Sequence, residues 1–204
     1  MRKSLKECTR AVTAEDYRTI AMQTPGLRIA DAVAIPFFDP DMPEAPRERL
    51  ANVITVVVLP YSSMDFPAPD KRFLEAVRGH IENYRLITTR IKISAPVYVK
   101  IDIFACVICD TSETKQAKKR LEASLRGMLS VYGEDGRTRF GETVSESEVT
   151  ARLCAVDSIL SVKQIRLSSD NANCRRDGRG GIVIPPNAIA CCGAVTIETE
   201  TPKG

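Results

Sequence analysis

The chain has no tryptophan, one histidine and an aromatic share of only 5%. Base-stacking platforms and carbohydrate grooves are built from exposed rings, and six Phe with five Tyr leave few of them once a core is filled. The lone His80 falls in a helical pattern on the side away from Leu74 and Ile81, the position of a solvated residue. A histidine-based nucleophile system also needs a serine or cysteine in a set context, and neither a Gly-x-Ser-x-Gly elbow nor a papain-like cysteine segment is present. No catalytic residue and no cofactor is expected. An excess of one charge is missing too: 29 basic and 26 acidic residues, spread along the chain, leave +3, a solvated surface and not a nucleic-acid footprint. No window approaches the roughly 18 apolar residues of a membrane span. Residues 1–10 are polar and basic with no apolar run behind them, so no signal peptide is expected. The expected location is the cytosol, with neither nucleic acid nor membrane as partner. Internal repeats and low-complexity segments are also lacking.

Seven cysteines is an odd count, and Cys8, Cys106, Cys109, Cys154, Cys174, Cys191 and Cys192 stand in apolar or strand-like contexts, so reduced thiols are expected. Cys106-Val107-Ile108-Cys109 has CxxC spacing without a second pair to support it. It lies in an alternating strand, where residues three apart face opposite sides and two sulfurs do not converge. Cys191 and Cys192 could join Cys174 in a soft metal site or a thiol enzyme, and a basic α+β RNA-binding module is a further alternative; packing in a strand is the plainer reading. No metal site is expected. Arg175-Arg176-Asp177-Gly178-Arg179-Gly180-Gly181 has the glycines and arginines of an anion cradle. It lacks the Lys-Ser/Thr ending of a P-loop and opens no apolar helix, so it reads as a hairpin tip.

What is present is a patterned core, drawn from 44% hydrophobic residues in 204. Thr13 can cap a helix carrying Tyr17, Ile20 and Ala21, which ends at Pro25-Gly26. Leu27 to Phe38 reads as a strand, and the β-branched run Val53 to Leu59 as a central strand buried on both faces. Phe73, Leu74, Val77, Ile81 and Tyr84 share one face of a helix that starts at Asp70. After a short basic segment and Pro96, the period switches to two: Val97, Val99, Ile101, Ile103, Ala105 and Val107 alternate with Tyr98, Lys100, Asp102, Phe104 and Cys106, as in a long antiparallel strand. Thr114 can cap a helix with Ala117, Leu121, Leu125, Met128 and Leu129 inside. Ser145 with Glu148 forms a capping box for one with Val149, Leu153 and Val156. Val162, Ile165 and Leu167 mark a strand, and Ile182 to Ile184 with Ala194 to Thr199 a terminal hairpin.

This order predicts an α+β fold: antiparallel or mixed sheets covered by helices, in ferredoxin-like (split βαβ) modules with a C-terminal hairpin. The expected segments are 1–52, 53–132 and 133–204. Three long loops are the expected partner contacts, because long loops in compact domains are commonly interaction elements. The first, Asp39 to Arg47, is acidic, proline-rich and expected to be exposed, with Asp39, Asp41, Glu44 and Arg47. The second, Gly133 to Gly141, carries Arg137, Arg139 and Phe140; the third, Asn171 to Gly181, carries Arg175, Arg176 and Arg179.

Four segments are collinear with a known family. Ala11-Val12-Thr13-Ala14-Glu15-Asp16-Tyr17, Tyr84-Arg85-Leu86-Ile87-Thr88-Thr89-Arg90, Ala95-Pro96-Val97-Tyr98-Val99, and Phe140-Gly141-Glu142-Thr143-Val144 with Ser147-Glu148-Val149 follow one another in that order. Together they resemble the C-terminal half of the baseplate J-like family over about Ala11 to Leu167. Family members are usually longer, with an N-terminal half in the baseplate core, so a fragment or split gene product is expected. Where the family often has tryptophan or proline before the Phe-Gly pair, Thr138 and Arg139 stand here. The resemblance implies a wedge component of a contractile phage tail or related bacterial injection system, without catalytic residues. It further implies an oligomer that contacts other wedge subunits and possible sheath or tube neighbours, assembled in the bacterial cytoplasm and then carried in the particle.

Overall fold

The computed structural model describes residues 10–109, 114–133, 138–156 and 159–200. Contacts divide the chain between Pro96 and Val97 into two compact units. In the first, α1 (Ala14–Met22) begins at Thr13, whose hydroxyl accepts from the Asp16 amide while the Asp16 carboxylate accepts from the Thr13 amide. This reciprocal cap satisfies donors that have no partner within a first helical turn. Strands β1 (Ile29–Pro36), β2 (Val53–Pro60) and β3 (Arg90–Ser94) form one sheet in that order, β1 antiparallel and β3 parallel to β2. The crossover from β2 to β3 is α2 (Lys71–Glu82), capped by Asp70. Tyr17, Ile20 and Ala21 of α1, with Val77 and Ile81 of α2, cover Ala32, Ala34, Val56, Val58 and Ile91 of the sheet. Val57 and Leu59 are wholly buried as well, so β2 is the doubly buried central strand its β-branched run predicts.

In the second unit, β4 (Val97–Cys109) lies between β5 (Ile159–Ser168) and β8 (Ala188–Glu200). It is antiparallel to β5 and parallel to β8. Helices α3 (Thr114–Met128) and α4 (Glu146–Cys154) lay Leu121, Leu125, Val149 and Leu153 against Val99, Ile101, Ile103, Ala105 and Val107, the apolar face read from the alternation save for Val97, which is exposed at the start of β4. The fold is α+β with mixed sheets, and β3 and β4, adjacent in sequence, belong to different sheets. One pairing differs from expectation. The C-terminal hairpin joins β6 (Arg175–Arg176) to β7 (Ile182–Val183), while the last strand joins β4 in parallel. That strand carries an extra residue at Gly193–Ala194: the Asp102 carboxylate accepts from the Ala194 amide at 2.7 Å, and a Cβ on Gly193 would lie 2.2 Å from the same oxygen. The apolar residues around this bulge fit the long β4 better than a short hairpin arm, because pairing with β4 runs from Val97↔Ala188 to Ile108↔Glu200. The side chain of Thr114, the expected cap of α3, lies outside the described residues.

Candidate functional site

The first loop is built on a left-handed residue. Phe37 has φ 57°, donates its amide to the Val53 carbonyl at 2.9 Å, and so turns the chain out of β1. Thr55 Oγ donates to the Phe38 carbonyl at 2.7 Å. Its register partner on β3, Lys92, reaches the same loop root: Nζ donates at 2.6 Å to Asp39 Oδ1 and at 2.6 Å to Asp41 Oδ2. Asp39 Oδ1 also accepts from the Asp41 amide at 3.0 Å. This corrects the expectation of a wholly exposed loop: Asp39 is only 2% exposed, drawn in by the ammonium that β3 places beside it. Asp41, Met42, Glu44 and Arg47 remain exposed. Burial acts to raise the Asp39 carboxyl, but the Lys92 hydrogen bond, the Asp41 amide and the fields of Lys92 and Arg90 outweigh it and hold the group below its ordinary value. For Lys92, burial lowers the ammonium and the two carboxylates more than reverse that.

The second loop is tied down at the end that is described; Arg137 lies outside the described residues. Arg139 pairs with Glu142 at 2.5 Å and with both oxygens of Glu148, at 2.6 and 3.2 Å. These carboxylates, Glu148 foremost, raise its already high pKa against the opposing effect of burial. Phe140 bridges Ile189 of β8, and Gly141, at φ 65°, donates to the Ala188 carbonyl at 2.9 Å. Beside this loop, Met128 of α3, Ala151 of α4 and Ala155, which follows α4, line a cleft of about 540 Å³, with Arg139, Glu148 and Arg152 on its walls.

The third loop is the β6–β7 hairpin, and Val144 bridges Ile182, which brings it beside the second. Its glycines do not cradle a foreign anion. The Asp177 carboxylate accepts from the amides of Arg179 at 2.8 Å and Gly181 at 2.7 Å, so an internal anion occupies the donors. Arg175, Arg176 and Arg179 are all exposed, and Arg176 donates to the Leu167 carbonyl at 2.8 Å.

Five of the described thiols are placed for packing; the sixth, Cys154 at the end of α4, is exposed, unlike the apolar context expected for it. Cys106, Cys109 and Cys191 are buried, and Cys174 and Cys192 pack against the second core. Cys191 donates to the Val99 carbonyl at 3.3 Å, and burial, partly opposed by Lys100, pushes its thiol up to about 11. Burial also raises Cys174 and Cys192, away from the thiolate that binds metal or attacks carbon. Among the described residues no three His, Cys, Asp or Glu side chains come together as metal ligands. His80 is half-buried, in an edge-to-face arrangement with Tyr84 whose ring centres lie 5.3 Å apart. No described helix is long and apolar enough to cross a membrane.

Sequence patterns did not mark one further feature. The Arg85 guanidinium, paired with Glu82, donates from Nη1 to the carbonyls of Leu86 at 3.2 Å, Ile87 at 3.1 Å and Thr89 at 3.1 Å. A single cation thus organises the turn before β3 and leaves Ile87 96% exposed. The signal available was the pair Leu86-Ile87 standing outside any helical or alternating period.

No protein-family model matches the chain, and no curated protein does. A solved structure does. It is a chain in the cryo-EM structure of the anti-feeding prophage (AFP) baseplate, 6-fold symmetrised, with a TM-score of 0.65 and 19% identity. The likeness is to a baseplate chain. It covers 90% of this chain and 38% of that one, so this chain spans well under half of its neighbour's length and shares the fold of that part.

Proposed function

We propose that the protein is a structural baseplate component of a contractile phage tail or tail-like injection system, working through subunit contacts and not through turnover. The observation that carries the reading is the shared fold over 90% of the chain with a chain of a 6-fold symmetrised baseplate. It agrees with the collinear baseplate J-like segments, which come from sequence and not from shape. The loops support it in a second way: Asp39, Lys92, Arg139, Glu148 and Asp177 are engaged in fixing loop shape. Loops held rigid in this way lose little entropy on association, which favours stable contacts. On this reading the chain is a wedge subunit of the baseplate J-like kind, oligomeric in the particle. It assembles in the cytoplasm with other wedge subunits, with sheath or tube proteins as further neighbours. Arg47, Arg175 and Arg179 are exposed candidates for those contacts.

Deletion of the gene in its producing cell tests this. Electron microscopy should show tubes and sheaths that no longer complete a baseplate, restored by the gene in trans. Normal contractile particles in the deletion strain would refute the assignment.

A further inference from the structure

The end of the first unit's sheet where β2 begins gathers features that the loops alone do not explain. Phe37 and Arg90 flank β2 on opposite sides, through Phe37 N to Val53 O at 2.9 Å and Arg90 N to Asn52 O at 2.7 Å. With strands about 4.8 Å apart, the two lie within about 10 Å of each other. Arg90 Nη2 reaches the Arg49 carbonyl at 3.4 Å, which brings the 3-10 turn Arg47–Leu50 to the same end. The Arg85-held turn precedes Arg90 directly. Three large apolar side chains are thus presented to solvent there: Ile87 at 96%, Phe37 at 47% and Leu86 at 37% exposure. Around them Arg47, Arg49 and Arg90 are exposed, and no carboxylate among the described residues pairs with any of the three within 4 Å.

We propose that this surface is a docking knob: Ile87, presented on the Arg85-held turn, inserts into an apolar socket with an acidic rim on a neighbouring protein of the assembled particle. The proposal rests on the baseplate reading and adds to it the site and the chemistry of the partner. Three carbonyls bound by one guanidinium fix the turn before any partner arrives, so little is lost in ordering it. An aliphatic anchor surrounded by polar residues is the arrangement of an interface centre, and a rim on which Arg47, Arg49 and Arg90 outnumber Glu48 selects an acidic one. The loops Gly133–Gly141 and Asn171–Gly181 present no comparable apolar centre among their described residues.

The test uses the full chain, expressed from a plasmid in the deletion strain, with its copy number in purified particles read by quantitative mass spectrometry. Burial of one isoleucine corresponds to about tenfold or more in affinity, so Ile87→Asp should lower incorporation by about tenfold while Ile87→Leu retains it. Because Ile87 touches no core, the thermal unfolding of both variants should match the parent chain. Arg47→Glu with Arg49→Glu, which reverses the rim charge and leaves the apolar anchor itself unchanged, should lower incorporation and reverse its salt dependence. Parent-level incorporation of Ile87→Asp would overturn the knob and leave the baseplate reading intact. Absence of the parent chain from particles would overturn both.

Discussion

At the residue scale the ion pair of Asp39 and Lys92 shows what a one-dimensional reading misses. Asp39, Asp41 and Glu44 among prolines look like a solvated acidic loop, and most of it is one. Only the register Thr55↔Lys92 reveals that an ammonium 53 residues away in sequence meets Asp39. A long-range partner of this kind leaves no local pattern. The pair makes stability depend on pH with a definite sign. Asp39 is held below its ordinary 3.8, so its contribution is present above that pH and is lost as pH falls through the lower folded value. Lys92 is held above its ordinary 10.5, so its contribution is present below that pH and is lost as pH rises through the higher folded value. Unfolding free energies of the parent chain and of Lys92→Gln, from denaturant titrations, should differ by about 1–3 kcal/mol near neutrality, from the lost charge-assisted bonds to Asp39 and Asp41. The difference should shrink as pH falls from 3.8, where the unfolded chain's carboxyl takes up its proton, through the lower folded value. A constant difference down to pH 2 would show that Lys92 acts by packing alone.

At the element scale, the helices and the apolar face of β4 were legible because periodicity marks burial directly. Val77 and Ile81 on α2, Leu121 and Leu125 on α3, and Val99 to Val107 on β4 are buried as their spacing predicts. Strand partners were less legible. A period of two says which side chains point inward, not which strand lies alongside, so β8 carried the signature of a hairpin arm while its true partner begins 91 residues earlier at Val97. The bulge at Gly193 interrupts its alternation further. A related contrast is testable with two glycines. Gly141 has φ 65° and lies where a Cβ would come 2.8 Å from Pro186 Cα, so Gly141→Ala should destabilise by about 1–3 kcal/mol. Gly79 lies inside α2 with open space around it, so Gly79→Ala should stabilise by about 0.5–1 kcal/mol. Equal signs in urea unfolding would show that backbone conformation does not control these positions.

At the scale of the whole molecule, two compact α+β units in one chain carry rigid loops, packed thiols and an exposed aliphatic turn. The candidate contacts divided in the same way as the fold. Arg47, Arg175 and Arg179 are exposed, Arg176 is exposed with its guanidinium on the Leu167 carbonyl, and Asp39 and Arg139 are internal fasteners. Composition cannot separate a guanidinium held by the chain itself from one left for a partner, since that depends on what folding brings within reach. The order of the baseplate-like segments was legible, and the shared fold with a baseplate chain accords with it. Quantitative mass spectrometry of purified contractile particles from the producing cell tests the central claim most directly. On the proposed reading the expected result is this chain at a fixed copy number in every particle; its absence from intact particles would contradict the account.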